Sequence, residues 1–337
     1  MTANPPAQPP GGLVDRFQRV HTYLRLSVTD RCNYRCVYCM PPEGLDWMPR
    51  DHILTFEEIG RLARIFGALG ITKIRLTGGE PSLRKDFVGL VQRVGAVPQI
   101  TDLSMTTNAF RLARIADALA RAGMNRVNVS LDSLDAARFA ALTRGGKLKD
   151  VLAGIDAARA AGLTPIKINC VVMAGENEDE VLPMVEYFSQ HAADTELRFI
   201  EYMPFEVRRH ASFTAAQMRA VIGERYTLTP SVQEDPTAGP AVYWKVEETG
   251  LKVGFVSPLS EKFCSSCNRL RLMADGHLRT CLSDDDTPSL RDYLRQGASD
   301  ATIAEAIRAM VSGKREGHGC AVEGGDTFEG VMTRIGG

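Results

Sequence analysis

The sequence predicts an α/β protein: six consecutive βα units forming one parallel sheet, either open and doubly wound or a partial (β/α) barrel, followed by a smaller module. Three observations predict it. Between residues 22 and 201, short β-rich apolar runs alternate with amphipathic helical segments at the spacing of βα units. Gly70, Gly123 and Gly162 fall where helix C-terminal glycines belong. After Glu201 the rhythm gives way to short alternating runs punctuated by Pro230, Pro236, Gly239 and Pro240. Both parallel architectures have right-handed crossovers and place a site at the C-terminal ends of strands.

In chain order, residues 1–12 hold four prolines and two glycines and read as a loose tail. They lack the basic and apolar regions of a secretory signal. The strands are TYLRLSV (22–28), KIRLT (73–77), ITDLSMTT (100–107), RVNVSL (126–131), PIKINCVV (165–172) and ELRFIE (196–201). Helices are expected over 56–69, 83–94, 112–122, 151–161 and 179–190. YMPFEVRRH then reads as a loop, 215–223 as a helix and 226–255 as short antiparallel strands. The expected division is a tail over 1–12, a barrel over 13–230 and a C-terminal module over 231–337.

Composition narrows the partners. A chain of 337 residues with 44% hydrophobic and 24% charged side chains is globular, and its net charge of −1 gives no field for nucleic acid. No run is long and apolar enough for a membrane span. With no export signal the expected compartment is the cytoplasm, where eight cysteines are ligands or catalysts sooner than disulfides.

Six of those cysteines form two sets. Cys32, Cys36 and Cys39 stand at C-x3-C-x2-C just past the first strand. Structural zinc takes four ligands in pairs, whereas three thiolates suit a [4Fe–4S] cluster with one iron left open. Cys264, Cys267 and Cys281 form the second set. Here C-x2-C keeps a zinc reading open, with His277 as a fourth ligand. Two sets of three suggest two clusters whose open irons face a common cavity. Cys170, inside IKINCVV, reads as core, and Cys320 in GHGCAVEGG has no partner at ligand spacing.

The first set, with Tyr38 before its last cysteine, resembles the signature of the radical S-adenosylmethionine (SAM) superfamily, and LTGGEP (76–81) resembles its GGEP element. Within that superfamily the chain, from LVDRF to RIGG, is similar to the GTP 3′,8-cyclase family of molybdenum cofactor biosynthesis. TYLRLSVTDRCNYRCVYCMP, IRLTGGEPSLRKD, TTNA, NVSLDSL, RFIEYMPF, FCSSCNRLRL and the terminal Gly-Gly carry the match. The Pro-rich extension and residues 317–325 match no motif.

The resemblance implies an incomplete (β/α)6 barrel of the radical SAM type with a C-terminal α+β module capping it. It implies that Cys32, Cys36 and Cys39 hold the cluster that cleaves SAM to methionine and a 5′-deoxyadenosyl radical. Tyr38, Gly79, Glu80, Ser130 and Met203 would line the SAM site, Glu80 accepting from the SAM ammonium. A second [4Fe–4S] cluster on Cys264, Cys267 and Cys281 would bind guanine. The radical would take the ribose 3′-hydrogen and C3′ would bond to C8.

Because GGEPSLRK is not a P-loop, side chains must hold the triphosphate, and arginine outnumbers lysine 31 to nine. The resemblance assigns Arg25, Lys73, Arg75, Thr106, Lys167, Arg198, Arg269, Leu270 and Arg271 to GTP. An inward charge on a strand needs a partner in any case. Gly336 and Gly337 would reach into the active site and support the radical steps. The resemblance also implies a homodimer, an electron donor of the flavodoxin or ferredoxin type and transfer of product to the next enzyme. The competing expectations are a peptide-modifying radical SAM enzyme and a zinc-structured binding protein.

Overall fold

The computed structural model describes residues 12–203, 211–231, 239–284 and 287–317. Cys320, Gly336 and Gly337 lie outside the described residues. Six strands carry the expected βα rhythm: β1 (Tyr23–Ser27), β2 (Lys73–Thr77), β3 (Asp102–Thr107), β4 (Arg126–Ser130), β5 (Ile166–Ala174) and β6 (Thr195–Glu201). Between and after them lie α1 (Phe56–Ala68), α2 (Phe87–Gly95), α3 (Leu112–Arg121), α4 (Ala136–Thr143), α5 (Leu148–Ala160), α6 (Val181–Ser189) and α7 (Ala215–Gly223). Gly70, Gly123 and Gly162 do close helices, with φ of 94°, 95° and 75°.

Two helices depart from the sequence reading. The helix expected at 83 starts at Phe87, because Pro81–Leu83 forms a 3-10 turn and Asp86 stands at φ 58°. Helix α4 is absent from the sequence reading. Its eight residues are too few to show a stripe, but Asp135 caps it by accepting from the Arg138 amide at 2.7 Å.

The larger departure is topological. After α7 come β7 (Leu228–Pro230), β8 (Val242–Val246), β9 (Lys252–Val256), β10 (Arg269–Leu272) and β11 (Leu278–Arg279), then α8 (Leu290–Arg295) and α9 (Asp300–Ser312). β7, β8 and β9 are antiparallel neighbours as expected, but β9 runs parallel to β6 and β10 runs parallel to β1. The sheet order is β7-β8-β9-β6-β5-β4-β3-β2-β1-β10-β11. Eight adjacent strands are therefore parallel, and the C-terminal region widens the sheet at both edges. Among the described strands the sheet does not close on itself, so the barrel is incomplete.

Alternation along the strands sorts the side chains. Leu24, Leu26, Ile74, Leu76, Leu197 and Phe199 lie fully buried in one apolar core with the helices. Each such burial contributes about 1.5–3 kcal/mol over exposure. The intervening positions face the other side of the sheet and include Arg25, Arg75, Asn128 and Arg198. One cavity is lined from eight strands, through Arg25, Arg75, Thr106, Ser130, Asn169, Arg198, Val256 and Arg271. The sheet must therefore curve around a polar interior. No helix among the described residues is long and apolar enough to cross a membrane.

Candidate active site

The first cysteine loop leaves the C-terminal end of β1 and is clasped by the loop after β2. Val28 donates to the Thr77 carbonyl (2.9 Å), Gly79 to Thr29 (2.8 Å) and Glu80 to Arg31 (2.8 Å). Both glycines are required for this approach. A Cβ at Gly78, whose φ is 151°, would lie 2.4 Å from the Thr29 oxygen, and one at Gly79 would lie 2.3 Å from that of Arg31. The pair brings backbone against the cysteine loop while also lining the cavity.

Glu80 borders the cavity at the mouth of this clasp. Its Oε1 accepts from the Ser82 amide (3.0 Å) and the Thr107 hydroxyl (3.0 Å), and its Oε2 accepts from the Asn108 amide (2.7 Å). The carboxylate thus joins the ends of β2 and β3 while bordering the cavity. A sequence shows the carboxylate and not the donors that fold onto it.

Other elements fix the far side of the loop. Arg35 and Val37 donate backbone bonds to Thr143 (3.1 Å) and Leu142 (2.9 Å) at the end of α4. Tyr38 donates to Asp132 Oδ2 (2.9 Å), whose Oδ1 accepts from the Val171 amide (2.9 Å). Burial raises Asp132 to about 6 against those hydrogen bonds. It also raises the Cys32 thiol to about 11 and Cys36 well above its ordinary value. A metal must displace protons there, which iron does to cluster-ligating thiols.

The second set lies at the other end of the strands. Cys264 and Cys267 precede β10, which is parallel to β1, whereas Cys32 follows β1. A five-residue strand separates the two ends by roughly 16 Å. All six cysteines are free thiols and border a single cavity of about 300 Å³. Burial raises the Cys267 thiol, but Arg269 and Lys314 outweigh it and bring it to about 7. His277 does not join this set: its Nδ1 pairs with Asp275 at 3.0 Å and its side chain is 40% exposed. The zinc reading therefore loses its fourth ligand, because His277 does not border the cavity that the three thiols line.

Between the sets lies a basic layer. Register puts Arg271, Arg25 and Arg75 side by side on β10, β1 and β2. Burial lowers Arg25 to about 9, with Arg271 adding repulsion. It lowers Arg75 to about 9 and Arg271 to about 10, with other arginines adding. Buried nitrogens of Arg75 (Nε), Arg198 (Nε) and Arg271 (Nη1) make no hydrogen bond, and neither does Thr106 Oγ1. Buried guanidiniums crowded together like this call for a polyanion.

Lys73 and Lys167 border a second cavity of about 180 Å³, which shares Arg75 and Arg198 with the first. There Lys73 pairs with Asp102 (3.2 Å) and Lys167 with Glu196 (2.6 Å). Tyr38, Gly79, Ser130, Met203 and Arg269 border the first cavity. Leu270 does not, since strand alternation puts its side chain in the apolar core. The sequence reading missed Arg19 and Lys314, which border the same cavity beside the second set. Neither belongs to a spaced motif.

Comparison with known proteins agrees with this geometry. Residues 26–188 match the model of the radical SAM superfamily, and residues 195–320 match that of the molybdenum cofactor synthesis C-terminal family. A GTP 3′,8-cyclase of Marinobacter nauticus is 44% identical over 331 residues, covering 96% of this chain and 98% of the relative. One of Paracoccus denitrificans is 45% identical over 315 residues, covering 91% and 89%. Among solved structures, Streptococcus suis SuiB bound to S-adenosylmethionine superposes with a TM-score of 0.61 at 15% identity, over 87% of this chain and 69% of that one. At that identity the likeness is one of fold.

Proposed function

The chain belongs to the GTP 3′,8-cyclase family of the radical SAM superfamily, and from that premise we propose how its residues divide the work of converting GTP to (8S)-3′,8-cyclo-7,8-dihydroguanosine 5′-triphosphate, the first step of molybdenum cofactor biosynthesis. The observation that carries the reading is one cavity with three thiols at each end and buried arginines between them. A thiol-only donor set fits iron–sulfur clusters, Cys32, Cys36 and Cys39 holding one and Cys264, Cys267 and Cys281 the other. When bound, the cluster on the first set would supply the electron that cleaves SAM, and the one on the second set would supply a site for guanine.

The protein's part is binding, orientation and exclusion of water. The Tyr38 backbone, Gly79, Glu80, Ser130 and Met203 hold SAM against the first set, and Glu80 also keeps the wall they stand on in shape. Arg25, Arg75, Thr106, Arg198, Arg269 and Arg271 take the nucleotide, with Lys73 and Lys167 at the phosphate end. Leu270 contributes backbone only. Gly317, the last of the described residues, borders the cavity beside Cys264. That position supports a catalytic role for the Gly-Gly end. The boundary near residue 230 then divides ligand duties: SAM before it, guanine after it. An external one-electron donor of the flavodoxin or ferredoxin type, a homodimer, a cytoplasmic setting and product transfer to the next enzyme complete the reading.

The decisive assay mixes anaerobically reconstituted protein with SAM, reductant and GTP. 5′-Deoxyadenosine should rise with GTP, and the cyclised nucleotide should appear in step. 5′-Deoxyadenosine that ignores GTP would sink the cyclase reading.

A further inference from the structure

The chain around Cys264, Cys267 and Cys281 is held by two buried cations. Lys314 is 2% exposed. Its Nζ donates to the carbonyls of Arg269 (2.8 Å) and Thr280, with Cys267 Sγ at 3.8 Å. Arg269 follows the Cys264–Cys267 turn and Thr280 precedes Cys281, so one ammonium spans the two stretches that bring the three thiols together. Arg19 completes the frame from the N-terminal side. It donates to the carbonyls of Cys264 (2.7 Å), Glu316 (2.7 Å) and Arg315 (2.6 Å), and pairs with buried Asp15 at 2.6 Å.

Among the described residues, the hydrogen-bond partners of the Lys314 ammonium are two neutral carbonyls and a thiol. A buried ammonium costs several kcal/mol unless negative charge stands near it. Three thiolates holding a cluster place that charge beside Nζ, and its remaining hydrogen points to the Cys267 sulfur. Hydrogen bonds and positive charge at a cluster's sulfurs raise its reduction potential.

We propose that Lys314, framed by Arg19, is the positioning residue of the second cluster: it fixes the spacing of the three thiolates and sets the cluster's potential higher than the thiolates alone would. The inference rests on the reading that Cys264, Cys267 and Cys281 hold a cluster.

The test uses anaerobically reconstituted holoenzyme, wild type, Lys314→Met and Lys314→Arg. Iron and sulfide are counted, and each cluster's midpoint potential is followed by electron paramagnetic resonance during a redox titration. Two clusters give about eight iron per chain; a wild-type content of about four overturns the second cluster itself, whatever the variants do. With that content at eight, Lys314→Met should lower the second cluster's potential, leave the first cluster's signal in place, and Lys314→Arg should recover most of the shift. Twofold loss of iron in Lys314→Met with recovery in Lys314→Arg also supports the proposal. An unshifted second potential in an iron-replete Lys314→Met overturns it, as does equal iron loss in both variants.

Discussion

Lys167 is charged in the wrong place for an ordinary lysine, and pH exposes the consequence. Burial lowers it from 10.5 to about 8, with Glu196 opposing the shift and Arg198 and Arg126 adding to it. Below pH 8 its ammonium is present for a phosphate; above it the charge is lost. Triphosphate affinity should therefore fall as pH rises through about 8, and Lys167→Arg should flatten that fall because a guanidinium keeps its charge. A charge-assisted hydrogen bond contributes about 1.5–3 kcal/mol, so Lys167→Met should weaken binding by an order of magnitude or more at pH 7. Calorimetric titration with GTP at pH 7 and pH 9 checks both, and an identical slope in Lys167→Arg removes Lys167 from the site. Linkage has the opposite sign in the ligand-free protein: the unfolded chain holds this proton up to pH 10.5, so stability gains from Lys167 between pH 8 and 10.5. At this scale the two sets of three cysteines that border the cavity were legible because their spacing is local. Leu270, Lys314 and the bracing hydrogen bonds of Glu80 were not, since each depends on which face or which distant group the side chain meets.

The same limit governs elements. Strands β1 to β6 and the glycines closing three helices were legible from alternation and left-handed backbone, both properties of a few consecutive residues. The start of α2 was not, because Asp86 takes φ 58° where its sequence neighbours continue a helical stripe. The GGEP loop was legible as a motif, but its physical reason, close contact with the cysteine loop, lies between elements. Gly79→Ala tests that reason. Its methyl would lie 2.3 Å from the Arg31 oxygen, so the clasp must open, at about 1–3 kcal/mol for overpacking. The expected result is a lower melting temperature with iron at the first set reduced. Gly223→Ala, at the end of α7 with nothing within 4 Å of the new methyl, should be neutral or stabilising by up to about 1 kcal/mol. Equal melting temperatures for the two variants would show that the clasp carries no strain-sensitive contact.

At the scale of the molecule, the near-zero net charge conceals a strongly basic interior lined from eight parallel strands. Two of those strands come from the C-terminal region. β9 extends the edge at β6 and β10 the edge at β1, with Gly254 beside Arg198 and Arg271 beside Arg25. Sequence pattern separates this region as a second module because periodicity is local, whereas strand pairing across the chain is not. A chain stopped after residue 225 keeps all six βα units but leaves β1 and β6 as bare edges and opens Arg25 and Arg198 to solvent on one side. Unpaired edges template aggregation, and the apolar residues that β9 and β10 bury, Val253, Phe255, Leu270 and Leu272, leave with them. At about 1.5–3 kcal/mol per large apolar side chain, that loss approaches the whole stability of an ordinary domain. The truncated chain should therefore aggregate and fail to give a species of discrete size with a cooperative thermal transition, while a chain stopped after residue 317 should give one. Size-exclusion chromatography and circular dichroism melting on both, under reducing conditions, decide it. A cooperatively melting 1–225 of discrete size would mean that the six units fold without their C-terminal edges, and that β9 and β10 serve only to bring Cys264, Cys267, Arg269 and Arg271 to the cavity.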